Sequence, residues 1–387
     1  MFRTLPPAGL PMTMADLFAG VAAARDGERA IDAFRSDLCR TFGVRHAFLA
    51  SSGRASLAML LQGLHTLSPG KNVVALPAYT SFSVPSAVVA AGFKVALYDV
   101  DPESLSPVPD SLARAVGDQT LAVVVCHLFG YPADLDLVRQ VAAVRGVPVI
   151  DDAAQAMGAE FKGKPVGSCG DAGLFSLSRG KNINAVDGGV IVTDRDDLAA
   201  ALKSFPPLEK RDGTVLLFFK ALLLSVMIHP SLYWLPRSLP FLRIGASVYD
   251  PTFPRNSFTP FQAGIARRML SRLPEVTAGR RRVARELITR LSGTQGVSPV
   301  AAMQEEPVYL RLSVLLSSDR KLREERGLGI VRSYPSSLAA IPELRPHLVD
   351  GADGYPGAES LARTLLTLPT HQFITDNDRT RIVASFG

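Results

Sequence analysis

Two aspartates close a short apolar run, Asp151 and Asp152 in VPVIDDAAQ, and a lysine, Lys181, sits in the polar turn SLSRGKN. Between them lie a glycine-rich passage and a second apolar run, Gly173 to Leu177; a third run, Gly189 to Thr193, closes the unit. An acid at one strand tip and a lysine after the next strand suit an aldehyde cofactor. The amine forms a Schiff base with the aldehyde, and the carboxylate stabilises a cation on the ring. A lysine of ordinary pKa, ~10.4, is a poor nucleophile at neutral pH, so burial or a cation such as Arg179 has to lower it. Taken singly, Lys181 reads as a solvated loop residue and the aspartates as a helix N-cap. Only the ensemble points to chemistry.

The elements that would position these residues alternate. Apolar runs at VVAL (from Val73), KVALY, LAVVVC and PVID read as strands, separated by helices over Ser83 to Ala91, Ser111 to Val116 and Leu135 to Arg145. Short continuous apolar strands with helical crossovers predict a mostly parallel sheet covered on both faces, hence an α/β fold. Upstream, Asp26 to Phe42 reads as an amphipathic helix after an irregular arm over residues 1–18. FLASSGRASL then reads as a strand, a small-residue turn and a helix starting near Arg54. Such a turn presents free N–H groups and a helix dipole to a phosphate. Asp99 also ends a strand, but no G-x-G-x-x-G precedes it and no Walker A sequence occurs, which disfavours nucleotide folds of those types.

Pyridoxal phosphate would need a Schiff-base lysine, a carboxylate facing its pyridine nitrogen and a phosphate cradle. Lys181, Asp152 and the Ser52–Gly53–Arg54 turn fit these roles, with Ser176 as a further phosphate donor. No other cofactor is suggested, and the cysteines Cys39, Cys126 and Cys169 share no metal-ligand spacing.

Composition sets the outer limits. The chain has 387 residues, 47% hydrophobic and 20% charged, an ordinary globular balance with enough length for a large core. The net charge of +6 is scattered, and Arg280 to Arg285 is interrupted as a helix surface would be, so nucleic-acid binding is not expected. Sparse, odd cysteines predict a reducing, cytoplasmic setting. The early prolines do not fit a signal peptide.

Residues 204–250 break the rhythm with an apolar insert. Its longest run, Val215 to Ile228, falls short of the ~20 residues that span a bilayer. The plainer reading is an insert packed on the body or in a subunit interface. The sharper reading is an amphipathic contact of 215–240 with a membrane or a lipid-linked substrate. Beyond Thr259, two amphipathic helices, an alternating run over Val308 to Leu315, a helix over Ala358 to Leu365, an LPTH turn and a terminal helix read as a smaller α+β domain. The expected division is 1–250, a large cofactor-binding domain, and 251–387, a small C-terminal one.

The strings SSGRASL, PAYTSFSVPSAVVAAGFKVALYDVD, HLFGYPADL, VIDDAAQAMGAEFKGKPVGSCGDAGLFSLSRGKN, DGGVIVTDRDDLA and PGAESLARTLLTLPTH, in this order and spacing, resemble the DegT/DnrJ/StrS family of sugar aminotransferases. The resemblance implies a fold-type-I pyridoxal-phosphate enzyme. It implies that Lys181 forms the Schiff base and moves protons, that Asp152 pairs with the pyridinium, and that Gln155 contacts the ring oxygen. Ser176 and the backbone of Gly53 and Arg54 would hold the phosphate. It further implies a homodimer with each site built across two subunits. Retention of the lysine, which some members replace by histidine, favours transamination over dehydration.

Three departures stand out. Arg54 occupies the usual threonine position of the phosphate turn. Ser81 occupies the position of the stacking aromatic, leaving Tyr79 or Phe82 to cover the ring. Asn256, in PRNSFTPFQA, is the candidate for an asparagine that reaches the partner's phosphate, although the whole 204–258 region departs from the family. The expected reaction passes an amino group, from L-glutamate, to a keto sugar linked to a nucleotide or a lipid. The alternatives are an aminotransferase for a non-sugar carbonyl and a non-catalytic or membrane-associated binding protein.

Overall fold

Along TLAVVVC, Ala122, Val124 and Cys126 pack into one apolar cluster, while Val123 and Val125 pack into another on the opposite face of the same strand. This two-residue alternation with no polar face is what a sheet buried on both sides requires. The computed structural model describes residues 3–387 except 207, 210–212, 240–247, 303–306, 318–319, 321–322 and 350–353. Those parts of the insert, and the first two residues of the arm, lie outside the described residues.

Helices α1 (Met14–Asp26) and α2 (Glu28–Phe42) lead to β1 (His46–Ala50), α3 (Gly53–Leu67), β2 (Val73–Pro77), α4 (Ser83–Ala90) and β3 (Lys94–Tyr98). Then come α5 (Pro109–Ala115), β4 (Thr120–Cys126), α6 (Leu135–Ala143) and β5 (Val149–Asp152). A small hairpin, β6 (Glu160–Phe161) with β7 (Lys164–Pro165), precedes β8 (Ala172–Ser176), β9 (Gly189–Thr193) and α7 (Asp196–Lys203). The insert contributes α8 (Thr214–Met227) and α9 (Trp234–Arg237). The chain continues through α10 (Pro260–Ser271), α11 (Leu273–Leu291), β10 (Val297–Pro299), β11 (Arg311–Leu316), α12 (Pro356–Thr364), β12 (Leu365–Pro369) and α13 (Asp376–Ala384).

Seven strands form the main sheet in the order β1-β9-β8-β5-β4-β2-β3. All its pairs are parallel except those of β9, which runs antiparallel to both β1 and β8. The sheet agrees with the α/β expectation. Because β9 is reversed, its first residue, Gly189, lies at the edge where the parallel strands end, opposite Ala50 and Ser176. The smaller sheet β10-β11-β12 is antiparallel.

Two sequence expectations change. The arm is irregular only to Thr13, because Thr13 and Asp16 form a capping box that starts α1 at Met14. Gly27, at φ 60°, separates α1 from α2. LPTH is not simply a turn: Leu368 and Pro369 pair with Leu312 and Arg311 in the small sheet. The arm reaches the far lobe, where Arg3 bonds Asp378 at 2.8 Å and His371 Nε2 donates to the Pro6 carbonyl at 2.8 Å. On the insert, Leu217 and Ala221 face the body against α1 and α10, whereas Val215 (69%) and Phe219 (60%) face outward. Among the described residues, no helix is long and apolar enough to cross a membrane.

Candidate active site

The loop from β8 to β9 carries Lys181. Its base is pinned where Leu177 N–H donates to Gly188 O at 2.8 Å and Ala185 N–H donates to Leu177 O at 2.9 Å. Two buried asparagines peg the loop on either side of Ile183: Asn182 donates to Met157 O at 2.8 Å and Asn184 to Leu10 O at 3.3 Å. Val186 sits at φ 71°, a strained setting for a β-branched residue, and its N–H is taken by the Asn184 side chain at 3.1 Å. Lys181 therefore projects from a rigid loop into a cavity of about 610 Å³, whose lining includes Asp152, Gln155, Ser176, Gly53, Arg54 and Phe82. Burial lowers its pKa to about 8, against the opposing pull of the Asp152 carboxylate. The amine is thus partly neutral near physiological pH, the condition the sequence alone left unmet.

Asp152 ends β5, buried. Burial raises its pKa, partly offset by the Ala154 N–H, which donates to Oδ1 at 3.0 Å, and by Lys181. On its other oxygen, Oδ2, the partner is the Cys126 thiol at 3.5 Å, a weak donor. A buried carboxylate held by so little is fitted to receive a cationic N–H from a ligand. Asp151 points to the opposite face of the strand. His127 Nδ1 accepts the Ala133 N–H at 2.9 Å, so the proton sits on Nε2 and is donated to Asp151 at 2.6 Å. The Gly167 and Cys169 N–H groups complete its shell at 2.7 and 3.0 Å. Asp151 is a structural anchor, neither an N-cap nor a cavity residue.

The turn between β1 and α3 has the strand–turn–helix form expected of it. Ser52 caps α3 by accepting the Ala55 N–H, and the N–H groups of Gly53 and Arg54 open the helix without intrahelical acceptors. A Cβ on Gly53 would stand 3.2 Å from the Ser176 Cβ, and one on Gly189 only 2.3 Å from the Ser52 carbonyl. Turn, Ser176 and β9 meet closely enough to exclude side chains there. The Arg54 guanidinium turns aside, lying 4.0 Å from Asp250 Oδ2 and 4.8 Å from the Phe253 ring centroid. It brings less charge to the turn than its position in the sequence suggests.

Of the two aromatic candidates, Phe82 lines the cavity. Tyr79 is fully buried behind it, edge-on to Tyr334 at 5.3 Å. Asn256 is tied through its backbone to Ser51, beside the turn of its own chain. Gln155 donates to Tyr334 Oη at 2.8 Å and accepts the Phe129 N–H at 3.2 Å. Sequence reasoning missed Tyr334 and Arg311, because both lie far along the chain from Gln155 and no local pattern marks them. They line a second chamber of about 430 Å³ that shares Gln155, Arg179 and Lys181 with the first.

The sequence profile of the DegT/DnrJ/EryC1/StrS aminotransferase family matches residues 22–211 and 256–387. The L-glutamine:2-deoxy-scyllo-inosose aminotransferase of Streptoalloteichus tenebrarius is 32% identical over 268 residues, covering 69% of this chain but 58% of its own length. The GDP-perosamine synthase of Caulobacter vibrioides is 28% identical over 361 residues, 90% of this chain and 86% of that protein. The structure of Helicobacter pylori PseC, an aminotransferase involved in the biosynthesis of pseudoaminic acid, matches with a TM-score of 0.80 at 16% identity. That match covers 99% of this chain and 98% of the other, a shared fold. The profile leaves 212–255 unmatched, the stretch that holds α8 and α9.

Proposed function

The chain belongs to the DegT/DnrJ/EryC1/StrS aminotransferase family, and we propose that it moves an amino group from an amino acid, L-glutamate, to a keto sugar, with pyridoxal 5'-phosphate as cofactor. The observation that carries this reading is a single cavity containing Lys181 with its pKa at about 8, the weakly held carboxylate of Asp152 and the open helix terminus at Gly53. Bound there, the cofactor supplies an aldehyde that captures amines and a pyridinium ring that accepts electrons. The chain's own residues do the rest. The N–H groups of Gly53 and Arg54, with the Ser176 hydroxyl, hold the phosphate. Asp152 keeps the pyridine nitrogen protonated, Gln155 contacts the ring oxygen and Phe82 covers the ring. In the first half-reaction Lys181 Nζ would take the proton from the α-carbon of the donor, and in the second it would give a proton to the carbon that was the keto carbon of the acceptor. One site serves both halves, so ping-pong kinetics follow.

The acceptor class follows the relatives named above, whose names include an inosose and a perosamine, and extends to sugars linked to a nucleotide or a lipid. The test is the visible absorbance of the purified, cofactor-loaded protein as L-glutamate is added. A glutamate-dependent change that Lys181→Ala abolishes is expected. No change in the wild type sinks the reading in favour of a non-catalytic binding protein.

We assign the open rim of the cavity, at Ser83, Val248 and Asp250, to a second copy of the chain. Light scattering at one chain mass would overturn this homodimer. The three free cysteines fit work in the cytoplasm. The outward stripe of Val215, Phe219 and Val226, with Trp234 and Leu235, supports a peripheral membrane contact through the insert. Sedimentation with vesicles, lost on Phe219→Ser, tests that contact.

A further inference from the structure

The second chamber is walled from one side by the insert, through Leu224, Met227 and Ile228 with Tyr233 and Pro236. Phe129 and Tyr334 face them, and Pro7 and Ala8 of the arm join the wall. Its volume, about 430 Å³, lies within the roughly 300–1,000 Å³ of pockets that hold drug-sized ligands. Its apolar lining comes largely from 212–255, the stretch that the family profile leaves unmatched. It opens on Lys181 and Gln155, so whatever fills it is attached to the reacting group.

Besides Lys181 and Arg179, which it shares with the first cavity, the wall carries a third cation, Arg311. Arg311 on β11 donates to Ser333 Oγ at 3.2 Å and, at 3.4 Å, to the Gly329 carbonyl, while its Nε has no partner. Burial lowers its pKa to about 10. Among the described residues, no carboxylate lies within ion-pairing distance of it, and Glu324 acts on it only at long range. A half-buried guanidinium without a counter-ion calls for an anion from the ligand.

We propose that this chamber receives the apolar chain of an amphipathic acceptor, a keto sugar joined through an acidic linker to a hydrocarbon group, with the linker at Arg311 and the sugar ring at Lys181. This inference builds on the aminotransferase reading and narrows its acceptor to the lipid-linked class. A nucleotide tail fits less well, because a base and ribose would set many polar atoms against leucine, methionine and isoleucine without partners.

The test uses the chain's single tryptophan, Trp234, which adjoins Tyr233 in the chamber wall. The cofactor-loaded protein is titrated with n-alkyl phosphates from butyl to decyl, below micelle formation, and Trp234 fluorescence is followed with calorimetry as a second measure. Affinity is expected to rise about three- to fourfold per methylene until the chamber is full. The double variant Leu224→Gln, Met227→Gln should flatten this dependence. Val215→Gln, on the outward face, should keep it. Arg311→Gln should weaken every length by about the same factor. A glutamate-driven absorbance change that persists in the double variant shows folded, working protein and separates this question from the aminotransferase reading. A flat wild-type series overturns the proposal, as does an unchanged slope in the double variant. So does thymidine diphosphate perturbing Trp234 where alkyl phosphates do not.

Discussion

Lys181 and Asp152, together in one cavity, are each displaced by desolvation and each partly restored by the other. Burial takes the lysine down to about 8 while the carboxylate pulls it back. Burial takes the carboxyl up while the Ala154 N–H and then the lysine pull it down. The pair keeps the amine near the pH at which it is both abundant and reactive.

Capture of the cofactor by the cofactor-free protein should therefore speed up with pH and level off above a midpoint near 8. Asp152→Asn removes the carboxylate charge that raises the lysine pKa, so the midpoint should move lower. Stopped-flow absorbance across a pH series reads both. The folded lysine titrates near 8 and the unfolded one near 10.5, so the unfolded state binds more protons in that window. The stability of the cofactor-free protein should rise with pH there, and Lys181→Met should lose this rise.

The His127–Asp151 bond, with both side chains fully buried, predicts a stability effect separate from catalysis. His127→Ala leaves an Asp151 oxygen without its donor and should cost about 1–3 kcal/mol in urea unfolding. His127→Gln, which keeps an N–H donor, should recover part of that loss. An unchanged urea midpoint in His127→Ala would refute the anchoring role.

Two glycines should respond differently to one methyl. At Gly189 the new Cβ meets the Ser52 carbonyl at 2.3 Å and the Ser56 hydroxyl oxygen at 2.5 Å, so Gly189→Ala should push the phosphate turn open and cost about 1–3 kcal/mol. At Gly53 the nearest atom is the Ser176 Cβ at 3.2 Å, so Gly53→Ala should cost less. Thermal unfolding and cofactor retention on dialysis rank the two.

Arg54 is engaged by Asp250 and Phe253, which leaves a place for a hydroxyl at the turn. Arg54→Thr should add one hydrogen bond, about 0.5–1.5 kcal/mol, and tighten cofactor binding up to about tenfold. Weaker binding would mean that the guanidinium reaches the phosphate after all.

Much of this site was readable because its parts are local. The acid ends an apolar strand, the turn precedes a helix and the lysine sits between two strands that pair with each other. Each signal lies within a few residues of the group it places. Other features were silent because they depend on contacts distant in sequence. Nothing near Tyr334 indicates that Gln155 will bond it, and nothing in RLSVLL marks Arg311 as a cavity residue. The T-M-A-D capping box was legible in the sequence, but the arm was read through it to residue 18. The insert was the hardest part. Its apolar residues divide between an inner wall and an outer stripe, and composition alone cannot assign them.

The arm carries one more consequence, in time. Arg3, Thr4, Leu5 and Pro6 are made long before the partners they bond, Asp378, Pro230, Gly327 and His371. At about 5–20 residues per second of synthesis, they wait roughly tens of seconds for partners to emerge. Pro7 and Ala8, which wall the second chamber, wait with them. On the ribosome, the chamber is still open when the sheet beneath it is already built.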